Sequence, residues 1–253
     1  MIKIIMSGCN GKMGQVITRL AAEMSDCQIV AGFDIAHSLK NSYPVFLNPL
    51  ECNVKADVII DFSHPNCLEN LLTFATKNRI PVVVATTGLA EPQHQMMQAA
   101  TKEIPIFFSA NMSVGINLLI DLVQKATKIL SETFDIEIIE KHHNQKIDAP
   151  SGTALAIADA IAGSMPEKPE YVYDRSTERV KRSKNEIGLH AIRGGTIVGE
   201  HSVIFAGQDE IIEVNHIAMS KEIFAAGAIK AAKYLAGKEA GMYNMHDLVN
   251  SQE

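Results

Sequence analysis

Cysteine is scarce in this chain, and none of it is spaced for a metal. The four cysteines, Cys9, Cys27, Cys52 and Cys67, fall irregularly in the first 67 of 253 residues and form no C-x-x-C pair. That argues against a disulfide framework and against a zinc site. There is no long basic run, and the formal net charge is -6, which disfavours nucleic acid as a partner. No apolar stretch reaches the roughly 20 residues of a membrane span. The opening MIKIIMSG carries too short an apolar run for a signal peptide. The expectation is a soluble cytoplasmic protein with no membrane partner. What is present is an ordinary globular mixture, 47% hydrophobic and 21% charged, long enough for one large domain or two modest ones.

Short apolar runs alternate with helical patterns in the first half. Ile2 to Met6 stops at a glycine and reads as a buried strand. Val16, Ile17, Leu20, Ala21 and Met24 then recur with helical spacing. QIVAGFD, ADVIIDFS, IPVVVATTG and IPIFFSAN repeat the strand pattern, with helix-like stretches at Pro65 to Asn78 and Pro92 to Lys102. This alternation predicts a doubly wound parallel sheet with helices on both faces.

The rhythm changes after Asn111. VGINLLIDLVQKATKIL reads as a long helix, FDIEIIEKHH as a strand, and Ser151 to Ala162 as a second helix. The run from Glu186 to Met219 reads as three or four strands with glycine-containing turns, and Lys221 to Leu235 as a helix. Helices with a separate run of strands predict an α+β second domain. The polar stretch from Glu167 to Asn185 reads as a long surface loop.

Two constellations carry chemistry. In IIMSGCNGKMG, Gly8, Gly11 and Gly14 lie between the first strand and the first helix. The chain there must turn sharply and admit a pyrophosphate to the helix N-terminus. Asp34 ends the second strand, where an acid would bond ribose hydroxyls. Together they point to dinucleotide binding. No arginine follows Asp34, and a carboxylate repels a 2′-phosphate, so NADH is favoured over NADPH. Ligands of open α/β sheets bind beyond the carboxyl ends of strands, which adds DFSHP, ATTG and SANMS to the cofactor side. His64, before a proline, reads as a helix start.

The second constellation is EKHHNQKIDAPSGTALAIADAI, Glu140 to Ile161. It sets proton carriers before a helix N-terminus, where free N–H groups and the helix dipole favour a carboxylate. Ser151 is the expected N-cap, and Gly152 lets a ligand approach. His142 and His143 cannot share one site along a regular strand, because adjacent residues face opposite ways. The strand is therefore expected to end at or near His142. Asp148 reads as an ion-pair partner or turn former. His142, His143 and His190 lack a convincing metal-ligand set, so no metal is expected. His190, His201 and His216 have no assigned role.

The motifs GCNGKMG, DFSHP, ATTGL, ANMSVGIN, HHNQKIDAPSGTA and IRGGTIVGEHSVIFAG, in this order, closely resemble bacterial 4-hydroxy-tetrahydrodipicolinate (dihydrodipicolinate) reductases. The resemblance spans nearly the whole chain. It implies NAD(P)H-dependent reduction of a cyclic imine dicarboxylate in diaminopimelate and lysine biosynthesis, by a homotetramer. It implies a Rossmann-type domain from residues 1–112 and 222–253, and an α+β substrate and assembly domain at 113–221. It assigns His142 as proton donor or acceptor, Lys146 as a second catalytic cation, and His143, Gly152 and Thr153 to substrate. Gly8, Cys9, Asn10, Gly11, Lys12, Met13, Asp34, Ala85, Thr86, Thr87, Ser109, Ala110, Asn111 and Met112 fall to the cofactor, NADH or NADPH. Ala85 stands where many members carry glycine. Arg193, Gly194 and Gly195 read as turn and assembly features. Two other readings were open to the residues: a dehydrogenase of an amino acid or semialdehyde, and a cofactor-sensing regulator without turnover.

Overall fold

The computed structural model describes residues 1–36, 40–176 and 179–251. The chain divides into two compact units, Met1–Val114 with Glu222–Glu253, and Gly115–Lys221.

The first unit is built on β1 (Ile2–Ser7), β2 (Cys27–Phe33), β3 (Val45–Phe46), β4 (Val58–Asp61), β5 (Val82–Val84), β6 (Pro105–Phe108) and β12 (Gly241–Tyr243). Their order in the sheet is β12-β6-β5-β4-β1-β2-β3, and every pairing is parallel. A parallel sheet buried on both faces needs apolar residues at consecutive positions. Ile4 and Met6 enter one core while Ile5 enters the other, and Ile60 and Ile59 divide in the same way. Helices α1 (Lys12–Glu23), α6 (Glu222–Leu235) and α7 (Met245–Asn250) contribute to the first core; α2 (Leu68–Asn78) and α3 (Glu91–Ala100) contribute to the second. The short β3, β12 and α7 were not foreseen from the sequence; two, three and six residues are too few to show a period.

The second unit pairs α4 (Val114–Leu130) and α5 (Gly152–Ala162) with β7 (Asp135–His142), β8 (Glu170–Val172), β9 (Glu186–Arg193), β10 (Gly199–Ala206) and β11 (Ile211–Ala218). The sheet order is β11-β10-β7-β9-β8. β7, β8 and β9 run parallel, while β10 is antiparallel to both β7 and β11. Along β7 the residues Ile136, Ile138 and Glu140 are buried and alternate with more exposed neighbours, the period of a half-buried strand. Leu119 and Val123 of α4 and Ile157 and Ile161 of α5 cover that inner face.

The expected loop from Glu167 to Asn185 needs correction. It contains β8, and several of its side chains are anchored: Arg182 donates to Asp135, Glu137 and three backbone carbonyls, and Tyr171 donates to Asp159. Charged residues hid the strand because their partners come from β7 and β9. Thr177 and Glu178 of that stretch lie outside the described residues.

Candidate functional site

The first unit offers a cradle at the carboxyl ends of β1, β4 and β5. Gly8 has φ +77°, and a Cβ there would lie 2.5 Å from the Phe62 carbonyl oxygen. A Cβ on Gly14 would lie 2.1 Å from the Gly8 oxygen. Only glycine fits either place. Gly11 is the N-cap of α1 and has no side-chain cap, so the first N–H groups of the helix stay available to an anion.

Asp34 accepts from the backbone N–H groups of Asn10 (2.8 Å) and Ala36 (2.9 Å). An ionised carboxylate has about four acceptor sites, so two remain. Asn10 also donates to the Ala36 carbonyl and accepts from Asn41 at 2.8 Å, which ties the glycine loop to the segment after β2. A cavity of about 440 Å³ opens beside them, lined among others by Gly8, Gly11, Asp34, Ile35 and His64. A second, of about 340 Å³, is lined by Met13, Ala85, Thr86, Thr87, Ala110 and Met112 with Phe62, Ser63 and Phe224. Residues Ser109 to Ser113 form a tight turn in which Ser109 Oγ donates to the Asn111 carbonyl at 2.8 Å and Asn111 Oδ1 accepts from Ser113 N–H at 2.9 Å. The glycine cradle, the acid and the two cavities fit a dinucleotide. Lys12 is exposed, and Cys9 is fully buried, its thiol pushed up to about 11 by burial and then by Asp34. Cys9 therefore packs against the loop as an apolar group. His64 accepts from Asn66 N–H at 3.2 Å, the helix-start role expected of it.

Beneath the cradle sits a group the sequence reading passed over. Asp61 is fully buried at the end of β4 and accepts from Ser63 Oγ (2.6 Å) and Thr86 Oγ1 (2.7 Å). Burial raises its pKa against these hydrogen bonds.

In the second unit the strand β7 ends at His142. The alternation that would send His142 and His143 to opposite faces therefore stops between them. Residues after it turn, with Lys146 N–H bonded to the His143 carbonyl at 3.1 Å. Lys146 pairs with Asp148 at 2.8 Å, so Asp148 is an ion-pair partner. Ser151 caps α5, its Oγ accepting from Ala154 N–H at 3.1 Å. Nothing lies within 4 Å of where a Gly152 Cβ would be, so the space in front of that helix start is open. Gly194 N–H bonds the His142 carbonyl at 2.9 Å and Asn144 N–H bonds the Gly195 carbonyl at 3.2 Å. The glycine turn after β9 thus braces the loop that carries the histidines.

Two residues do more than the sequence showed. Glu140, near the end of β7, is 1% exposed and bonds His142 Nδ1 at 2.6 Å. Arg193, read as a turn and assembly feature, donates to both Glu140 oxygens at 2.7 Å and to the Asp148 carbonyl. Burial pushes the Glu140 carboxyl up, but the Arg193 fork, His142 and the Ser151 N–H outweigh it and hold it below the ordinary carboxylate range. His201 on β10 is buried with its ring 5.3 Å from that of His142. Burial, and then His142, lower its pKa to about 4. Period two did offer one signal: Glu140 and His142 fall on the same face of a strand whose other inward residues are Ile136 and Ile138.

A parallel sheet with the order 3-2-1-4-5-6, a glycine cradle and an acid after the second strand define a dinucleotide-binding protein of the Rossmann class, here joined to an α+β unit with an acid–base cluster. Family models for the N-terminus and the C-terminus of dihydrodipicolinate reductase match residues 2–112 and 115–249. The 4-hydroxy-tetrahydrodipicolinate reductase of Caldanaerobacter subterraneus subsp. tengcongensis is 56% identical over 249 residues, covering 98% of both chains. That of Clostridium tetani is 51% identical over 251 residues, covering 99% of this chain and 98% of its own. The fold matches a dipicolinate-bound dihydrodipicolinate reductase from Paenisporosarcina sp. TG-14 with a TM-score of 0.82, 24% identity, and 96% and 97% of the two chains covered. The chain belongs to the 4-hydroxy-tetrahydrodipicolinate reductase family, and is an oxidoreductase.

Proposed function

We propose that this chain is a cytoplasmic homotetramer that uses NADH or NADPH to reduce 4-hydroxy-tetrahydrodipicolinate, or the dihydrodipicolinate derived from it, to tetrahydrodipicolinate. Residues 1–112 and 222–253 hold the cofactor; residues 113–221 hold the substrate and assemble the oligomer. The carrying observation is that one short segment brings together a carboxylate-paired His142, the Lys146 cation and an open, capped helix start at Gly152.

The cofactor supplies hydride to the conjugated ring. His142 supplies the proton for the neighbouring carbon, a general-acid role worth about 10²–10⁴-fold. Lys146 stabilises negative charge on the substrate, and its salt bridge to the exposed Asp148 is weak enough to exchange for a substrate carboxylate. His143, Gly152 and Thr153 bind a substrate carboxylate at the α5 N-terminus. On the cofactor side, Gly8 through Met13 receive the pyrophosphate and Asp34 the adenosine ribose. Ala85, Thr86, Thr87 and Ser109 through Met112 border the nicotinamide. The Asp34 carboxylate repels a 2′-phosphate, so NADH is the preferred reductant.

The outer face of the second unit's sheet supports assembly: Ile192 and Ile217 are 47% and 59% exposed there, with the partly buried Ile139 and Ile204 on the same face. All four cysteines are free thiols, as in a reducing compartment. Among the described residues no helix is long and apolar enough to cross a membrane.

The test is cofactor oxidation with enzymatically generated dihydrodipicolinate. His142→Gln should lower kcat about 100-fold or more while leaving the NADH Kd unchanged. Near-normal kcat in that variant would remove His142 from the chemistry. Paired kinetics should give a lower KM for NADH than for NADPH, and sedimentation should give four copies.

A further inference from the structure

We infer that Glu140 is the positioning residue for His142: it fixes the imidazole tautomer with Nδ1–H on the carboxylate, and through the same carboxylate it anchors the N-terminus of α5. This deepens the function proposed above and rests on it.

The Glu140 carboxylate is contacted at both oxygens. Glu140 and His142 lie two apart on β7, so both side chains stand on the inner face. The strand registers bring partners to that face. Arg193 lies opposite His142 on β9, while His201 and Gly199 lie opposite Glu140 and next to its neighbour on β10. Glu140 Oε2 receives Arg193 NH1 at 2.7 Å and His142 Nδ1 at 2.6 Å. Oε1 receives Arg193 NH2 at 2.7 Å and the Ser151 backbone N–H at 3.0 Å. Each oxygen thus takes one guanidinium N–H and one further contact. A carboxylate paired in this way stays ionised and can only accept. The ring nitrogen facing it must therefore carry a hydrogen.

Two consequences follow for the reaction. With Nδ1 protonated, the neutral ring has a bare Nε2, and a proton taken there gives an imidazolium stabilised by the adjacent anion. That proton leaves from Nε2 to the substrate carbon, and Glu140 itself never changes protonation. The β10 backbone also runs close to the ring: a Cβ on Gly199 would lie 3.0 Å from Nε2, so a side chain there would crowd the imidazole. The second consequence concerns α5. The bond from Ser151 N–H to Glu140 joins the proton carrier to the helix start proposed to receive the substrate carboxylate, so one buried anion sets the spacing of both. His201 does not compete as a base, since it is buried and its Nε2 rests against Ser151 Oγ at 3.2 Å.

The experiment compares Glu140→Gln, His142→Gln and the double variant by steady-state kinetics, with ¹⁵N-histidine NMR of the full protein. Gln keeps the shape but must turn an NH₂ toward Arg193 and toward either His142 or Ser151. Glu140→Gln should lose about 100-fold in kcat and bind pyridine-2,6-dicarboxylate about 10-fold more weakly, with an unchanged NADH Kd. Because Glu140 acts through His142, the double variant should be no slower than His142→Gln alone. The His142 ring should be the Nδ1–H tautomer in the parent and lose that preference in Glu140→Gln. A kcat within threefold of the parent, a double loss equal to the product of the single losses, or an unchanged tautomer would each overturn the inference. If Glu140→Gln does not fold, Arg193→Lys carries the same test. It keeps the cation and breaks the two-point fork, and should lose about 10-fold in kcat, again without adding to His142→Gln. A slow His142→Gln beside a fast Glu140→Gln rejects this inference alone. A fast His142→Gln rejects the proposed function, and this inference with it.

Discussion

Arg193 grips Glu140 at two points, each 2.7 Å, although the two residues lie 53 positions apart in the chain. Breaking a buried pair by removing one partner leaves an uncompensated charge, which costs about 3–5 kcal/mol. Replacing both partners by apolar groups restores much of that stability. Arg193→Ala should therefore lower the urea midpoint sharply, and Glu140→Leu with Arg193→Leu should recover a large part of the loss. If the double variant is no more stable than Arg193→Ala, the buried charge is not the source of the cost.

His201 makes stability pH-dependent. Its folded pKa of about 4 lies below the ordinary 6.5, so the unfolded chain binds a proton that the fold refuses. Its contribution is fully present above pH 6.5 and is lost as pH falls toward 4, amounting to roughly 3 kcal/mol. His216, also lowered by burial, acts in the same direction. Glu140 adds its loss only below its ordinary 4.5. His201→Gln should flatten the decline between pH 6.5 and 4.5 in urea melts; a variant that declines as steeply as the parent would show that His201 is charged in the fold.

Asp61 has the opposite sign. Its carboxyl is raised by burial, so the fold keeps a proton that the unfolded chain releases. That makes the wild type less stable as pH rises above 3.8 toward the folded pKa. Asn has the same shape and does not titrate, and the Ser63 and Thr86 hydroxyls can turn to suit it. Asp61→Asn should gain thermal stability relative to wild type between pH 5 and pH 8. Parallel curves would mean that Asp61 is ionised.

Gly14→Ala should damage the cofactor cradle and little else. Its Cβ would lie 2.1 Å from the Gly8 oxygen and 2.7 Å from Cys9 Cα, and both are backbone atoms that must move. Overpacking of this kind costs about 1–3 kcal/mol, so NADH should bind about 10-fold or more weakly by fluorescence titration. Binding within a factor of two would show that the loop absorbs the methyl group.

Much of the fold was legible because its signals are local. An Ile- or Val-rich run ending at glycine, followed by helical spacing, marks β1 and α1 whatever they pack against, and α4 matches its expected range of Val114 to Leu130. β8 was missed for the converse reason: its three residues have no period, and the charges around it are neutralised by partners on other strands.

The sequence by itself determined the elements, the glycine loop with its acid, and the segment that gathers His142, Lys146 and the capped helix start, since each depends on neighbours within a few residues. Tertiary structure decided which side chains act on them. Arg193 reaches Glu140 only through the pairing of β7 with β9, and His201 reaches His142 only through the pairing of β7 with β10. Strand registers of that kind join residues 50 or more positions apart. Burial then raised the pKa of Asp61 and lowered that of His201, while at Glu140 the hydrogen bonds from Arg193, His142 and Ser151 overcame burial, because both effects depend on what surrounds a group in space.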